Sequence, residues 1–388
     1  MNRLTSAGYE AYLVGGAIRD LLVKQKPKDF DIATSATPQQ IKKVIRQARI
    51  IGRRFKLVHI PFHRDIIEVA TFRSHEPIDT NMQTNDRGML IEDNVYGTLE
   101  QDAWRRDFAA NSLYYQVETE SIIDFTQGFH DMQQKCLRMI GVPDTRYHED
   151  PVRMLRAVRF SAKLGFSIAP DTAEPMTRLN HLLTQVSGSR LFDEMVKLYQ
   201  GGHANTAQKL LEQYGLFQQL FPSAAAVPKH YPMQAFLQFA LESTDTRVRT
   251  RKPVNPAFLF AVILWFPMKI RAKILQNAGT DPIPALDQAF SQVISEQCKI
   301  ITIPKRHAQV IRDIWHLQSR FAKRSGNKAH QLFQHPRFRA AYDFFVLRAL
   351  ANEESLEVAK WWTTFQEVDE DIQEKMIAAC NTNHPQKS

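Results

Sequence analysis

Two aspartates one residue apart, Asp29 and Asp31, are the side chains best suited to chemistry near the start of the chain. Side chains alternate faces along a strand, so we expect the two carboxylates to project together while Phe30 and Ile32 point into the core. Neighbouring carboxylates repel each other and need a compensating cation, and hard oxygen ligands suit Mg²⁺ carrying a nucleotide's phosphates. The pair predicts a metal clamp, although an isolated Asp-x-Asp is more often a solvated strand edge.

Gly15 and Gly16 precede this pair, at a point where the sequence predicts that a strand turns into a helix. Without side chains, their backbone N–H groups can approach phosphate, and the helix N-terminus favours anions. A Gly-Gly pair alone usually marks only a turn. The order and spacing of the two motifs favour a site in which both bind the same triphosphate.

A third acid, Glu68, lies in the apolar run DIIEVATF. A buried glutamate there would be costly unless it were solvated or bound to metal. Alternation also allows Ile67 and Val69 to face the core while Glu68 faces water. The pattern by itself does not decide between these two interpretations.

These residues must be positioned by an α/β region with a mixed sheet. Period-two and helical patterns predict strands at 12–14, 30–32, 56–60 and 66–72, and helices at 17–23 and 38–46. A polar stretch from about Ser74 to Asn94 predicts a long mobile loop. From Pro151 onward, apolar residues recur at helical spacing and strand signals vanish, so the rest of the chain is expected to be helical.

Composition bounds the class of protein. The 388 residues fit two or three domains, and the 44% apolar and 23% charged shares are ordinary for a folded soluble chain. The most apolar run, 256–267, is too short to span a membrane and predicts a buried helix. The N-terminus lacks the pattern of a signal peptide, which predicts a cytoplasmic location. Three distant cysteines suggest neither disulfides nor a zinc site.

The net charge of +9 is concentrated late in the chain. The window 301–350 holds ten Lys or Arg residues against two acids. Clustered positive charge interleaved with aromatic residues suits a nucleic acid, although the aromatics are more readily explained as a buried stripe. Four cations in this window, here termed the basic set, are predicted to bind RNA: Lys305, Arg306, Lys323 and Arg324.

Four stretches together resemble the bacterial CCA-adding enzymes and poly(A) polymerases of the nucleotidyltransferase superfamily. They are LVGGAIRDLL, KDFDIAT, RRDFAANSLYY and EDPVRMLRAVRF, which occur in this order from Leu13 to Phe160. The resemblance implies an α+β fold with a mixed-sheet nucleotidyltransferase head at 1–143 and an all-helical neck for base recognition at 144–222. A helical body with a basic RNA-binding region would occupy 223–380, and 381–388 would be a frayed tail. We expect such a protein to act as a monomer on ATP and RNA 3′ ends.

The resemblance also implies roles for individual residues. Asp29, Asp31 and Glu68 would ligate two Mg²⁺ ions, with Mn²⁺ as a possible substitute, in an in-line two-metal displacement. Asp107 would accept a hydrogen bond from the ribose, and Asp150 and Arg153 would read the base. The remaining predicted nucleotide-binding residues are Gly15, Gly16, Arg19, Arg105, Arg106, Asn111, Arg156 and Arg159. Local structure explains several of them equally well: Asp150 suits a helix N-cap, and Arg105 to Asn111 suit a capped helix with i,i+4 pairing.

The stretch from Arg49 to Ile60 separates the two enzyme types. It is similar to a GRRF-containing segment typical of the poly(A) polymerases, except that Arg49 replaces an aliphatic residue. Arg53 and Arg54 in it are predicted to contact RNA. The sequence therefore favours template-independent addition of AMP to RNA, which promotes RNA processing and decay. A CCA-adding enzyme and a non-catalytic RNA-binding protein remain as alternatives, whereas the His130-Asp131 dipeptide lacks the further ligands of a phosphohydrolase.

Overall fold

The computed structural model describes residues 1–52, 56–63, 65–74 and 96–382. The chain divides into two compact units, Met1–Leu182 and Leu183–Ser388. This boundary falls inside the predicted neck. The functional domain bounds drawn from the sequence stay predictions.

The first unit is built on a seven-stranded mixed sheet with the strand order β3-β4-β5-β2-β1-β6-β7. Its strands are β1 Ala11–Val14, β2 Asp31–Thr34, β3 Arg49–Ile51, β4 Leu57–Phe62, β5 Asp65–Thr71, β6 Leu113–Gln116 and β7 Ser121–Asp124. Strands β2 and β5 pair in parallel, and the remaining pairs are antiparallel. A small parallel sheet joins β8 Cys136–Leu137 to β9 Ser167–Ile168.

The helices of the first unit are α1 Asn2–Thr5, α2 Gly16–Leu22, α3 Pro38–Val44, α4 Leu99–Trp104, α5 Gly128–Gln133, α6 Pro143–Glu149, α7 Val152–Leu164 and α8 Pro170–Leu179. Two 3₁₀ helices, Ala109–Asn111 and Asn180–Gln185, follow α4 and α8. Capping boxes fix the starts of α3 and α4, where the Thr37 and Thr98 side chains accept from Gln40 N and Gln101 N. The start of α4 matters for the site because this helix ends at the Arg105-Arg106 pair.

The two faces of the large sheet bury different clusters. On one face, Ile32, Val58, Ile60 and Val69 pack with Ile41 of α3. On the other, Val14, Ala33 and Tyr114 pack with Ala103 of α4. Alternation along each strand assigns Asp31 to the second face. We call this second face the carboxylate face.

The second unit is helical in the part of the chain that the structure describes. Its helices are α9 Gly188–Tyr199, α10 Ala204–Gln213, α11 Leu216–Leu220, α12 Pro222–Ala225, α13 Met233–Arg249, α14 Pro256–Asn277, α15 Pro282–Cys298, α16 Lys305–Gln318, α17 Lys328–Phe333, α18 Phe338–Leu350, α19 Leu356–Glu367 and α20 Glu370–Thr382. The apolar run 256–267 forms the buried start of α14, as predicted, and the helix continues past Pro267. None of the described helices is long and apolar enough to cross a membrane.

Three sequence predictions about structure need correction or restriction. Phe30 does not point into the core: it is 43% exposed, because β2 begins only at Asp31. Strand structure does not end at Pro151, since β9 forms at Ser167–Ile168. Most of the loop predicted between Ser74 and Asn94 lies outside the described residues.

Candidate active site

The carboxylates Asp31 and Glu68 lie side by side on the carboxylate face. They are register partners in the parallel pair β2–β5, and such partners share one face of the sheet. Burial and the neighbouring charges of Glu68 and Asp29 raise the pKa of Asp31, whereas Arg106 opposes the shift. Asp29 precedes the strand and is exposed. The structure thus brings the three predicted acids into one electrostatic group, although only Asp31 and Glu68 are strand neighbours.

This donor set fits a hard divalent cation in its chemistry. Burial first, and then repulsion from Glu68 and Asp29, raise the pKa of Asp31, and a bound cation would relieve the repulsion. Within the described residues, no three Asp, Glu, His or Cys side chains converge closely enough to form a ready-made ligand cage. Asp31 and Glu68 are carried by adjacent strands, whereas Asp29 precedes β2.

The glycine turn lies at the end of β1, next to Asp31 in the sheet. Gly15 has a φ of +73° and caps α2 at its N-terminus, a conformation that disfavours a side chain. A Cβ built on Gly15 would lie 3.6 Å from Nη1 of Arg106 and 3.5 Å from the Asn111 carbonyl oxygen. The turn therefore combines a backbone without a side chain, a helix N-terminus and an adjacent guanidinium, which suits an anionic ligand.

Arg106 is held in place by two buried groups that sequence reasoning missed. Its Nη2 donates to Asp102 Oδ2 at 2.9 Å, and its Nε donates to the Tyr114 hydroxyl at 2.8 Å. The Tyr114 hydroxyl donates in turn to Asp102 at 2.7 Å, and Arg105 donates to the other oxygen at 3.2 Å. Burial alone would raise the pKa of Asp102, but the two arginines and Tyr114 outweigh it and hold the pKa at about 2. The i+3 and i+4 spacing from Asp102 was the available sequence signal.

Asp107 anchors a second buried network. Its Oδ1 accepts from Phe108 N at 2.8 Å and Asn111 Nδ2 at 3.1 Å, and its Oδ2 accepts from Arg156 Nε at 2.7 Å. Burial opposes ionisation, but Arg156 and the Asn111 hydrogen bond lower the pKa of Asp107 to about 2. Asn111 also accepts from Arg19. Contact between Asp107 and a ribose stays a prediction, since both oxygens already have protein partners.

The arginines of α7 point to structural partners. Arg153 donates to Glu149 Oε2 at 2.9 Å and to the Arg146 carbonyl at 2.7 Å, whereas Arg159 stacks over the Phe160 ring with its Cζ 4.3 Å from the centroid. Asp150 accepts from Val152 N, the first N–H of α7, at 3.2 Å. The N-cap of α7 is nevertheless Pro151, and Asp150 is the C-cap of α6, so the predicted N-cap position is wrong by one residue although the carboxylate does accept from the first N–H of α7. Base reading by Asp150 and Arg153 stays a prediction.

The basic set is spread over the second unit rather than gathered at one point. Lys305 and Arg306 are exposed in the first turn of α16. Lys323 lines a groove of about 1280 Å³ together with Arg320 and Lys328, and Arg324 lies over the Trp361 ring at 5.4 Å. Three aromatics of this window, Trp315, Phe321 and Phe338, are at most 5% exposed, and Phe333 is partly buried against the same core, as a stripe of core residues would be. Arg53 and Arg54 lie outside the described residues.

His130 is exposed, which confirms that it is a surface residue. Its neighbour Asp131 is buried and pairs with Arg138 at 3.2 Å. The dipeptide therefore has a structural explanation.

A mixed sheet that places a carboxylate pair beside a glycine turn is the arrangement expected of a nucleotidyltransferase. Three sequence-family models match the chain: the poly A polymerase head domain at 11–138, the probable RNA and SrmB-binding site of polymerase A at 165–227, and the polymerase A arginine-rich C-terminus at 278–388. The chain belongs to the bacterial poly(A) polymerase I family and is a polynucleotide adenylyltransferase.

Individual relatives support this membership. The chain is 48% identical over 379 residues to poly(A) polymerase I of Escherichia coli O6:H1, covering 94% of this chain and 81% of that protein. It is 44% identical to poly(A) polymerase I of Haemophilus influenzae, covering 99% and 87%. The crystal structure of the Bacillus stearothermophilus CCA-adding enzyme in complex with CTP matches with 25% identity and a TM-score of 0.63, covering 97% of this chain and 80% of that one.

Proposed function

We propose that this chain adds AMP from ATP to RNA 3′ ends by a two-metal mechanism, with Mg²⁺ held by Asp29, Asp31 and Glu68. The tails would promote RNA processing and decay. The observation that carries the proposal is the pairing of Asp31 with Glu68 on adjacent strands, beside the Gly15 turn and Arg106. That arrangement sets acidic ligands next to a site built for phosphate.

One group of residues binds the triphosphate, and the carboxylates would hold the metal ions. Backbone N–H groups after Gly15 and the guanidinium of Arg106 bind and orient the triphosphate. Asp102 and Tyr114 fix Arg106, so little reorganisation is needed when the nucleotide binds. When bound, divalent ions lower the pKa of the primer 3′-hydroxyl and stabilise the leaving pyrophosphate. Asp31 and Glu68 would hold these ions in a defined position, because both residues lie on paired strands of the sheet.

The test is replacement of one carboxylate with a matched control. Asp31→Asn should lower the rate of oligoadenylate extension by a factor on the order of 10³, since metal ligation contributes several kcal/mol to the transition state. Asp65→Asn removes an exposed carboxylate from the start of β5 and should leave the rate unchanged. Thermal melting shows whether both variants fold. Full activity in folded Asp31→Asn would refute the proposed site.

Nucleotide choice distinguishes poly(A) addition from CCA addition. The purified chain is offered each nucleoside triphosphate separately, with either an oligoadenylate or a tRNA lacking its 3′ end. We expect extension of the oligoadenylate by ATP over many cycles. Sequential use of CTP and ATP on the tRNA alone would assign the chain to CCA addition, and retention of RNA without extension would indicate a binding protein.

A further inference from the structure

A single register row crosses four strands of the sheet and ends at the proposed catalytic carboxylate. Asp31 on β2 pairs with Glu68 on β5, Glu68 pairs with His59 on β4, and His59 pairs with Arg49 on β3. Directly paired residues share a face, so all four side chains lie on the carboxylate face. Adjacent strands lie about 4.8 Å apart, so the row runs roughly 14 Å from Asp31 to the edge strand.

The opposite face of the same strands is filled. Val58, Ile60 and Val69 are buried there, with Ile50 partly buried against the same cluster. On the carboxylate face, by contrast, Arg49 is exposed, the His59 side chain is 26% exposed and that of Glu68 is 49% exposed. Among the described residues, the row Arg49-His59-Glu68 is therefore an accessible polar line on this face, flanked by the apolar side chains of Ile51, Leu57 and Ile66.

One contact and one register position give this row a chemical direction. His59 Nε2 lies 3.2 Å from Glu68 Oε1, which fixes the carboxylate that neighbours Asp31. Arg49, on the outer side of His59, places a guanidinium where a backbone leading toward Glu68 would cross the edge strand. A guanidinium binds phosphate through paired N–H groups.

We propose that the row Arg49-His59-Glu68 is a subsite for the 3′-terminal stretch of the RNA primer. Arg49 binds a backbone phosphate of the primer, and His59 is a positioning residue that orients Glu68. The inference rests on the proposed function and extends it to the path of the primer. A phosphodiester strand bound along the row is directed with its 3′ end toward Asp31.

The two roles predict different kinetic effects on oligoadenylate extension. Removal of one phosphate-binding cation flattens the salt dependence of single-strand binding by about 0.7, which corresponds to about fivefold weaker binding at 0.1 M salt. Arg49→Ala should therefore raise the KM for primer about fivefold with kcat nearly unchanged. Lys42→Ala removes an exposed charge from α3, on the opposite face, and should change neither value.

His59→Ala should lower kcat about tenfold with little change in the KM for primer, because it removes an orienting hydrogen bond to a charged group. His59→Gln keeps a donor near the position of Nε2 and should recover most of the rate. In a Glu68→Gln background, His59→Ala should have no additional effect, since the oriented carboxylate is already absent. A merely structural histidine would show neither the rescue nor the dependence on Glu68.

The proposal is overturned if Arg49→Ala shifts the primer KM no more than Lys42→Ala does. It is equally overturned if His59→Ala leaves kcat intact, or lowers it by the same factor in the Glu68→Gln background. Fluorescence anisotropy with a labelled oligoadenylate separates this inference from the proposed function. A chain that binds the oligoadenylate with an Arg49-dependent salt slope but fails to extend it refutes the function and retains the subsite.

Discussion

The buried pairing of Asp102 with Arg106 predicts a stability change that depends on pH. Asp102→Asn keeps the shape of the side chain and removes its charge, so Arg106 and Arg105 lose the carboxylate that they share. The Asp102 side chain is only 2% exposed, so solvent screens the interaction little. The carboxylate stabilises the folded state because its pKa falls from an ordinary 3.8 to about 2 on folding.

The magnitude follows from that shift. One pKa unit corresponds to about 1.4 kcal/mol, so the charge of Asp102 contributes about 2 kcal/mol to the free energy of unfolding near neutral pH. A group with a lowered folded pKa stabilises fully above its unfolded pKa and loses this effect as the pH falls through its folded pKa. The difference between the parent chain and Asp102→Asn should therefore be full at pH 6 and shrink between about pH 4 and pH 2.

Urea unfolding of both proteins at a series of pH values measures this difference, and Asp65→Asn, an exposed carboxylate, is the matched control. At pH 7 we also expect a higher KM for ATP in Asp102→Asn, because Arg106 loses its buried acceptor beside the Gly15 turn. A stability difference that stayed constant from pH 6 to pH 2 would refute the assignment of the effect to the charge of Asp102.

Two further predictions concern RNA binding and packing. Alanine at all four positions of the basic set should weaken oligoadenylate binding and leave nucleotide choice unchanged. The slope of log binding constant against log salt concentration should flatten by about 0.7 for each phosphate that is no longer neutralised. Filter binding at a series of salt concentrations measures this slope, and an unaltered slope would show that the set does not contact RNA. Gly128→Ala should lower the free energy of unfolding by about 1–3 kcal/mol, and with it the melting temperature, because the new Cβ would lie 2.1 Å from the Ala109 carbonyl oxygen. A melting temperature equal to that of the parent chain would contradict this packing argument.

The sequence predicted the positions of strands and helices better than it predicted which strands pair in the sheet. Strand and helix patterns gave β1, β4, β5, α2 and α3 to within a few residues, because alternation and helical spacing are local properties. The parallel pairing of β2 with β5 is a long-range choice that no local pattern encodes. Only that register places Glu68 beside Asp31 and extends the row to His59 and Arg49.

Charge patterns in the sequence were least informative about which cations face a ligand. In the basic window, Arg348 is buried and pairs with Glu353 at 2.9 Å, and Arg312 pairs with Asp287 at 2.5 Å. Both acids lie outside the window 301–350, so counting charges within it overstated the free positive charge. Arg19 shows the same effect in the first unit, where it is 3% exposed and bonds to Asp20 at 2.6 Å.

The arginine-rich helix α7 likewise uses its basic residues for packing within the first unit. Phe160 of α7 lies beneath the guanidiniums of Arg19, Arg156 and Arg159, at 4.9, 5.3 and 4.3 Å from its ring centroid. Lys163, one turn further on, donates to Asp20 at 2.7 Å.

Because α2 begins at the glycine turn, these contacts join the helix that follows the proposed phosphate-binding turn to the helix that carries Arg153, one of the two predicted base-reading residues. If the predicted base-reading residues contact the base, we expect these contacts to couple base selection to placement of the triphosphate. Phe160→Ala should then both raise the KM for ATP and weaken the preference for ATP over CTP, and a change in only one of the two would refute the coupling.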